Sequence, residues 1–408
     1  MEQTKSNYIN IKIDNYQNEN PLRILIAGTT YYPAANGQSV FTTRLAEGLA
    51  RRGHTVMAVT QSDRKTAYHK QLNGVDVVAL KSISLNLWYP GAYLTLFAGR
   101  SVQDIFKKFR PNIVHIQDHY PLSWDVFKVA QKRHVRVVGT NHFMPENLAP
   151  YLQSIAWFKP GFNRLLWRWM LTLYNRFDAV TAPSQTAAEI LVRAGLTAPV
   201  FPVSCGVDLQ HFHPDPCLDR AAYRRDFGLD PQKTLFLFIG RVDREKKLDL
   251  LLRAFRQVKR EDVQLAVAGK GSVMGDLMKL SSELKLQDRV RFLGYVPDEK
   301  LPGLISSADV FAMPSEAELL SIATLEAMAC ARPVLAADSQ ALPELVDPGK
   351  NGYLFQPGEV DDAARYIELM ADQKIQWAGM QDASLKKVQA HNLEATLKRY
   401  EEIYRSIL

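Results

Sequence analysis

The segment GRVDREKK, residues 240–247, follows directly on an apolar run and offers cations that could act together. Arg241, Lys246 and Lys247 at the carboxyl end of a strand are fixed cations of the kind that hold a diphosphate, although an ordinary charged turn reads the same way. Further on, PSEAELLSIATLEAMA (314–329) sets Glu318 and Glu326 eight positions apart, with Ser321 and Thr324 flanking the start of an alanine-rich helix. Helix N-termini present unpaired N–H groups to anions, and carboxylates accept hydrogen bonds from sugar and ribose hydroxyls. Either glutamate alone reads as a surface residue, so the pair draws its meaning from this loop-to-helix setting and from the cations upstream. The glycines at Gly37, Gly269 and Gly271 complete neither a dinucleotide fingerprint nor a P-loop.

Such groups need strands that end in loops, and the chain supplies them in series. LRILIAG (22–28) has the pattern of a buried parallel strand feeding a loop. A helix is expected over 39–52, with Val40, Leu45 and Leu49 at helical spacing and Gly53 as its stop, before HTVMAVT resumes the strand pattern. NIVHIQ, VRVVGT and DAVTAPS continue the alternation, which restarts with TLFLFIGR, VQLAVAGKG, VRFLGYV, DVFAMPS and PVLAAD. Two α/β domains with doubly wound parallel sheets follow. The junction falls near PVSCGVDLQHFHPDP (202–216), where Pro, Gly and Asp cluster. We divide the chain into a loose extension at 1–20, a first domain at 21–205, a second at 206–385, and a helical segment at 386–408 with Leu393, Leu397, Tyr400, Ile403 and Tyr404 on one face.

Composition narrows the class. Of 408 residues, 47% are hydrophobic and 23% charged, a globular balance. Three cysteines without close spacing argue against a disulfide framework or a zinc site and fit a reducing cytoplasm. No secretory pattern opens the chain, and no run is apolar enough to span a bilayer. Residues 1–205 carry 23 Lys+Arg against 12 Asp+Glu, whereas 206–408 carry 27 against 31, so the basic excess belongs to the first half and implies an anionic partner there.

In combination, GRVDREKK and the two glutamates resemble the large retaining glycosyltransferase family four, whose second domain carries GR-x-x-x-EK and E-x7-E. The resemblance implies a GT-B fold, two Rossmann-like domains facing across a cleft, with a nucleotide diphosphate sugar as co-substrate. It further implies that Arg241 and Lys246 hold the donor diphosphate, that Glu318 meets the sugar hydroxyls and Glu326 the ribose, and that Val296 lies near the nucleobase. Gly240, Ser321, Thr324 and Leu325 belong to the same two donor-binding segments. This chain departs from the family at Leu319, Leu320 and Ser321, where glycine, an aromatic and glycine are common, at Lys247 for a glycine, and at Cys205 for an asparagine. In the first domain, YYPAANGQSV resembles the family's glycine-containing loop, with Asn36 and Gly37 nearest the diphosphate. HIQDHYPL holds His115, Asp118 and His119 where the family often has a histidine that approaches the donor sugar. A His-x-His alignment puts Gln117 at the second position, and we take His119 for that role. His142 in GTNHFMPEN ends the next strand, where the family shows a histidine facing the cleft. Structural capping is the alternative for either. The family's departing diphosphate assists acceptor deprotonation, so no metal is expected, and no Asp-x-Asp segment at a strand end contradicts this.

The acceptor is addressed by WFKPGFNRLLWRWMLTLYNRF (157–177), which holds three of the six tryptophans. Phe162, Leu165, Leu166, Trp169, Met170 and Leu173 recur at helical spacing, with Arg164, Arg168 and Arg176 off that face. Such a helix rests in a membrane interface, or packs on its own domain. With Trp157, Arg164, Trp167, Arg168 and Trp169 as surface contacts, this reading favours an anionic membrane and a lipid acceptor, the protein lying peripherally on the inner face of the cytoplasmic membrane. AELLSIATLEAMA is similar to diacylglycerol glucosyltransferases, which points to UDP-glucose and diacylglycerol. A soluble or lipid-linked saccharide acceptor is the enzymatic alternative. A catalytically silent sugar-nucleotide or nucleic-acid binding protein is the other class. Nucleic acid is disfavoured because the aromatics follow a helical stripe rather than line a basic groove.

Overall fold

The computed structural model describes residues 20–32, 36–64, 66–84, 93–144 and 159–408. Two compact units emerge, one of residues up to Ser204 together with Thr396–Leu408, the other of Cys205–Ala395.

The first unit is built on an eight-stranded sheet. Its strands are β1 (Arg23–Ala27), β2 (Thr55–Gln61), β3 (Tyr68–Leu72), β4 (Val75–Leu80), β7 (Ile113–Ile116), β8 (Arg136–Thr140), β9 (Ala179–Ala182) and β10 (Val200–Pro202). A separate two-stranded ribbon holds β5 (Ile83–Ser84) and β6 (Tyr93–Leu94). The sheet order is β10-β9-β8-β7-β1-β2-β4-β3, parallel throughout except that β3 runs antiparallel to β4. Apolar runs such as RILIA and IVHI are buried on both faces, as parallel strands covered by helices must be. The covering helices are α1 (Gly37–Arg51), α2 (Gly99–Phe109), α3 (Pro121–Lys132), α4 (Lys159–Tyr174) and α5 (Gln185–Ala194).

The second unit has one six-stranded parallel sheet. Its strands are β11 (Thr234–Ile239), β12 (Val263–Ala268), β13 (Val290–Gly294), β14 (Val310–Met313), β15 (Val334–Ala337) and β16 (Gly352–Phe355). They run β13-β12-β11-β14-β15-β16, which is the 3-2-1-4-5-6 order of a Rossmann sheet. Helices α6 (Arg220–Asp226), α7 (Leu248–Gln257), α8 (Met274–Glu283), α9 (Leu301–Ser307), α10 (Ile322–Ala329), α11 (Leu342–Leu345), α12 (Val360–Asp372) and α13 (Trp377–Val388) accompany it.

The last helix, α14 (Leu393–Ile407), begins in the second unit and ends in the first. The segment we set apart at 386–408 is thus divided between α13, which ends in the second unit, and α14. The reason lies in two tyrosines and a histidine. Tyr400 and Tyr404 are fully buried, and the Tyr404 hydroxyl meets His115 Nδ1 at 2.7 Å while Thr140 Oγ1 meets its Nε2 at 2.6 Å. A buried imidazole needs both partners, and α14 supplies one of them.

Helix α4 divides along its length. Met170, Leu171, Leu173 and Tyr174 are buried against the first unit, but Leu165 is 61% and Trp169 37% exposed. The apolar stripe expected to enter a membrane is therefore spent on the core from Met170 onward and left partly at the surface before it. Trp157 and the Phe162 side chain lie outside the described residues. Among the described residues, no helix is long and apolar enough to cross a membrane.

Candidate active site

In a doubly wound sheet, ligands bind outside the carboxyl ends of the strands at the point where the strand order reverses. In the second unit that point lies between β11 and β14. The loop leaving β11 carries Gly240 to Lys247 and the loop leaving β14 carries Pro314 to Ser321, so the topology itself brings the cations and Glu318 together. Lys246 Nζ lies 2.5 Å from Glu318 Oε1, and both side chains are largely buried. Lys247 Nζ reaches Glu316 Oε2 at 3.6 Å, and Ser315 Oγ donates to the Glu245 carbonyl at 3.4 Å.

Arg241 is braced within its own loop. Its Nη1 lies 2.7 Å from Asp243 and its Nη2 2.7 Å from Glu245, both carboxylates being buried. Asp243 also accepts from the backbone N–H and hydroxyl of Ser272, at 2.9 and 2.8 Å. The loops after β11 and β12 are pressed backbone to backbone: a Cβ at Gly269 would stand 1.8 Å from the Gly240 carbonyl oxygen, and one at Gly271 would stand 2.1 Å from that of Val242. Only glycine permits that approach. Every cation of GRVDREKK named above thus has a carboxylate partner.

Helix α10 begins beside this loop. Ser321 is its N-cap and accepts from the Thr324 N–H at 3.3 Å, and the Thr324 hydroxyl donates to Ser321 Oγ at 2.8 Å. The Ser321 hydroxyl is therefore engaged in capping, whereas the first N–H groups of the helix have no intrahelical acceptor. Leu325 is fully buried, and Glu326 and Val296 are each 6% exposed. Leu319 and Leu320, where the family commonly has glycine and an aromatic, are each 8% exposed and fill the loop with apolar bulk.

The first unit has its own reversal point, between β1 and β7. Asp118, after β7, accepts from the Thr29 N–H after β1 at 2.6 Å, from Gln38 Nε2 on α1 at 3.1 Å, and from Ser123 Oγ at 2.6 Å. Asn36 caps α1, accepting from the Ser39 N–H at 2.8 Å, and Gly37 has open space where a Cβ would stand. His142 Nε2 meets Gln117 Oε1 at 2.9 Å, joining the ends of β7 and β8. Burial holds the His142 imidazole at about 4, against an upward pull from Asp118.

His119 sits in an aromatic cage, stacked on Tyr120 at 4.8 Å and met edge-on by Trp169 at 4.7 Å, with Phe143 at 5.0 Å. It is 1% exposed, and its Nδ1 has no hydrogen-bond partner among the described residues. Burial pushes it down to about 4, opposed by Asp118. Trp169 thus covers the histidine we assigned to the donor sugar. Asp118 has no role legible in the local sequence, because its partners lie up to 89 positions away. Among the described residues, no three His, Cys, Asp or Glu side chains gather as a metal-binding set.

Two family descriptions match the chain. Glycosyl transferases group 1 covers residues 219–386, and Glycosyltransferase Family 4 covers residues 35–211. The chain belongs to the family four, group 1 glycosyltransferases. Among its relatives in this family, the alpha-monoglucosyldiacylglycerol synthase of Streptococcus pneumoniae is 25% identical over 86% of this chain and 78% of its own length. The sulfoquinovosyl transferase of Arabidopsis thaliana is 28% identical over 79% of this chain and 61% of its own length, so this chain spans less than two thirds of that relative. The solved structure of HepE from Anabaena in complex with UDP-glucose superposes with a TM-score of 0.76 at 20% identity, covering 94% of this chain and 99% of that one. That likeness shows the fold, GT-B with two Rossmann-like units.

Proposed function

We propose that this family four member is a retaining hexosyltransferase that moves glucose from UDP-glucose to a membrane lipid such as diacylglycerol, without a metal ion, at the inner face of the cytoplasmic membrane. The observation that carries the transfer chemistry is the Lys246–Glu318 contact at the reversal point of the second sheet. When donor enters, Lys246 exchanges Glu318 for the diphosphate, and the freed carboxylate accepts from the sugar hydroxyls. The ammonium stays paired throughout, so no buried charge is stranded. Glu326 takes the ribose and Val296 borders the base, while Ser321, Thr324, Leu325 and Gly240 shape the wall.

In the transfer itself, the bond from the anomeric carbon to the phosphate oxygen breaks and the acceptor oxygen bonds to that carbon on the same face. The acceptor proton passes to the departing phosphate oxygen. Lys246, Arg241 and the N-terminus of α10 stabilise the charge that develops on UDP, the role that a metal would otherwise fill.

The lipid acceptor is supported by the names of the two relatives, by the basic excess of residues 1–205 and by Arg164, Trp167, Arg168 and Trp169 on the outer side of α4, three of them exposed. The test is incubation with labelled UDP-glucose, UDP-galactose and GDP-mannose, with and without EDTA, over vesicles of diacylglycerol and anionic lipid. Labelled glycolipid that survives EDTA supports the reading. Donor consumption without glycolipid moves the acceptor to a soluble or lipid-linked saccharide, and no turnover of any donor reduces the chain to a binding protein.

A further inference from the structure

Helices α4 and α5 lie side by side in the first unit and leave an open groove of about 700 Å³ between them. Its walls carry Arg164 and Arg168 from α4 and Arg193 from α5, and its floor is apolar, with Trp167, Leu171 and Ile190. All three arginines are exposed, and none of them pairs with a carboxylate among the described residues. The groove is held open by its own framework. Asn175, at the end of α4, accepts from the Thr197 N–H at 2.7 Å and donates to the Gly195 carbonyl at 3.3 Å, tying α4 to the turn that ends α5.

A guanidinium presents a planar fork of N–H donors that fits phosphate oxygens in pairs, and three of them over an apolar floor match a ligand that is anionic at one end and apolar at the other. We infer that this groove is a binding site for an anionic phospholipid, its phosphodiester held by Arg164, Arg168 and Arg193 and its first acyl carbons lying on Trp167, Leu171 and Ile190. The inference rests on the membrane-surface part of the function proposed above and adds a defined site to it. Arg193 and Ile190 enter only through the fold, since about twenty to thirty positions separate them from the α4 residues they face. A free phosphate would use the rim and leave the floor bare, which is why the occupant is a lipid and not the ion.

Near an anionic membrane, each arginine contributes about 1 kcal/mol, so loss of three lowers vesicle partitioning on the order of a hundredfold. The experiment is co-sedimentation of the full chain with phosphatidylglycerol or phosphatidylcholine vesicles, with neither donor nor diacylglycerol present. Arg164→Gln/Arg168→Gln/Arg193→Gln is compared with Arg51→Gln/Arg133→Gln/Arg225→Gln, which removes the same charge from exposed positions elsewhere. The expected result is binding to phosphatidylglycerol but not phosphatidylcholine, lost roughly a hundredfold in the groove variant and changed less than about threefold in the control. The single change Arg168→Glu gives the same reading should the triple variant fold poorly. Equal losses in both triples, undiminished binding of the groove variants, equal binding to both lipids, or release by millimolar inorganic phosphate would overturn the inference. Because the assay contains no sugar, a failure to make glycolipid sinks the acceptor reading and leaves this result standing.

Discussion

On the proposed function, a phosphate that binds at Lys246 competes with a carboxylate already in place at 2.5 Å. Replacing Glu318 by Gln removes that competitor, so UDP alone is expected to bind at least as tightly as to the wild type, while sugar transfer falls by roughly a hundredfold or more for want of a carboxylate on the sugar hydroxyls. Calorimetry with UDP and turnover with UDP-glucose separate the two effects, and weaker UDP binding in Glu318→Gln would contradict the exchange. At His119 the question is burial. The imidazole is held at about 4 by the aromatic cage, so opening that cage with Trp169→Ala is expected to move its titration upward toward 6.5, as followed by NMR. An unchanged midpoint would mean that Trp169 does not shield it. The sequence displayed the charges of GRVDREKK but not their pairing: Arg241, Lys246 and Lys247 each meet a carboxylate, two of them on a loop some seventy positions away.

Among the elements, those legible in the sequence were the ones whose pattern is local. LRILIAG and TLFLFIGR are strands because continuous apolar runs suit a sheet covered on both faces, and both lie within the expected bounds. The β3–β4 hairpin escaped notice although its signal was present: Asn73 and Gly74, with φ of 48° and 83°, form the two-residue turn that such a pair favours. Polar edge residues in YHKQL hid the strand before it. The stripe on α4 was visible, but which half would be buried was not, since that depends on the strands beneath. At the loops after β11 and β12, Gly269→Ala is expected to cost roughly 2 kcal/mol or more, because its Cβ would collide with the Gly240 backbone and its φ of +142° excludes side chains. A thermal melt and UDP titration check this together, both being expected to fall.

At the scale of the molecule, the terminal helix and the buried histidines set the response to pH. His115, His119 and His142 are lowered by burial to about 3, 4 and 4, from 6.5 in the unfolded chain. As pH falls below 6.5 the unfolded chain takes up protons that the folded one refuses, so stability is full above pH 6.5 and declines toward pH 4, at roughly 1.4 kcal/mol per pH unit for each histidine. Glu401 on α14 adds to the same trend lower down. Burial works to raise its carboxyl, but the bonds from His54 and Arg52 outweigh it and hold it at about 2, so its contribution is present above pH 4.5 and is lost toward pH 2. Melts from pH 7.5 to 4 are expected to show a steady fall, and Tyr404→Phe, which strips His115 of a partner, to lower the whole curve by about 1 kcal/mol.

On the proposed function, the reversal point between β11 and β14 binds a nucleotide diphosphate sugar through Lys246. Isothermal titration of the full chain with UDP-glucose, UDP-galactose and GDP-mannose in EDTA, repeated with Lys246→Ala, measures this binding. We expect one donor to bind the wild type without metal and to bind Lys246→Ala at least about tenfold more weakly, the loss of one charge-assisted contact. Binding that Lys246→Ala leaves undiminished, or no binding of any donor to the wild type, would rule out a donor site at Lys246.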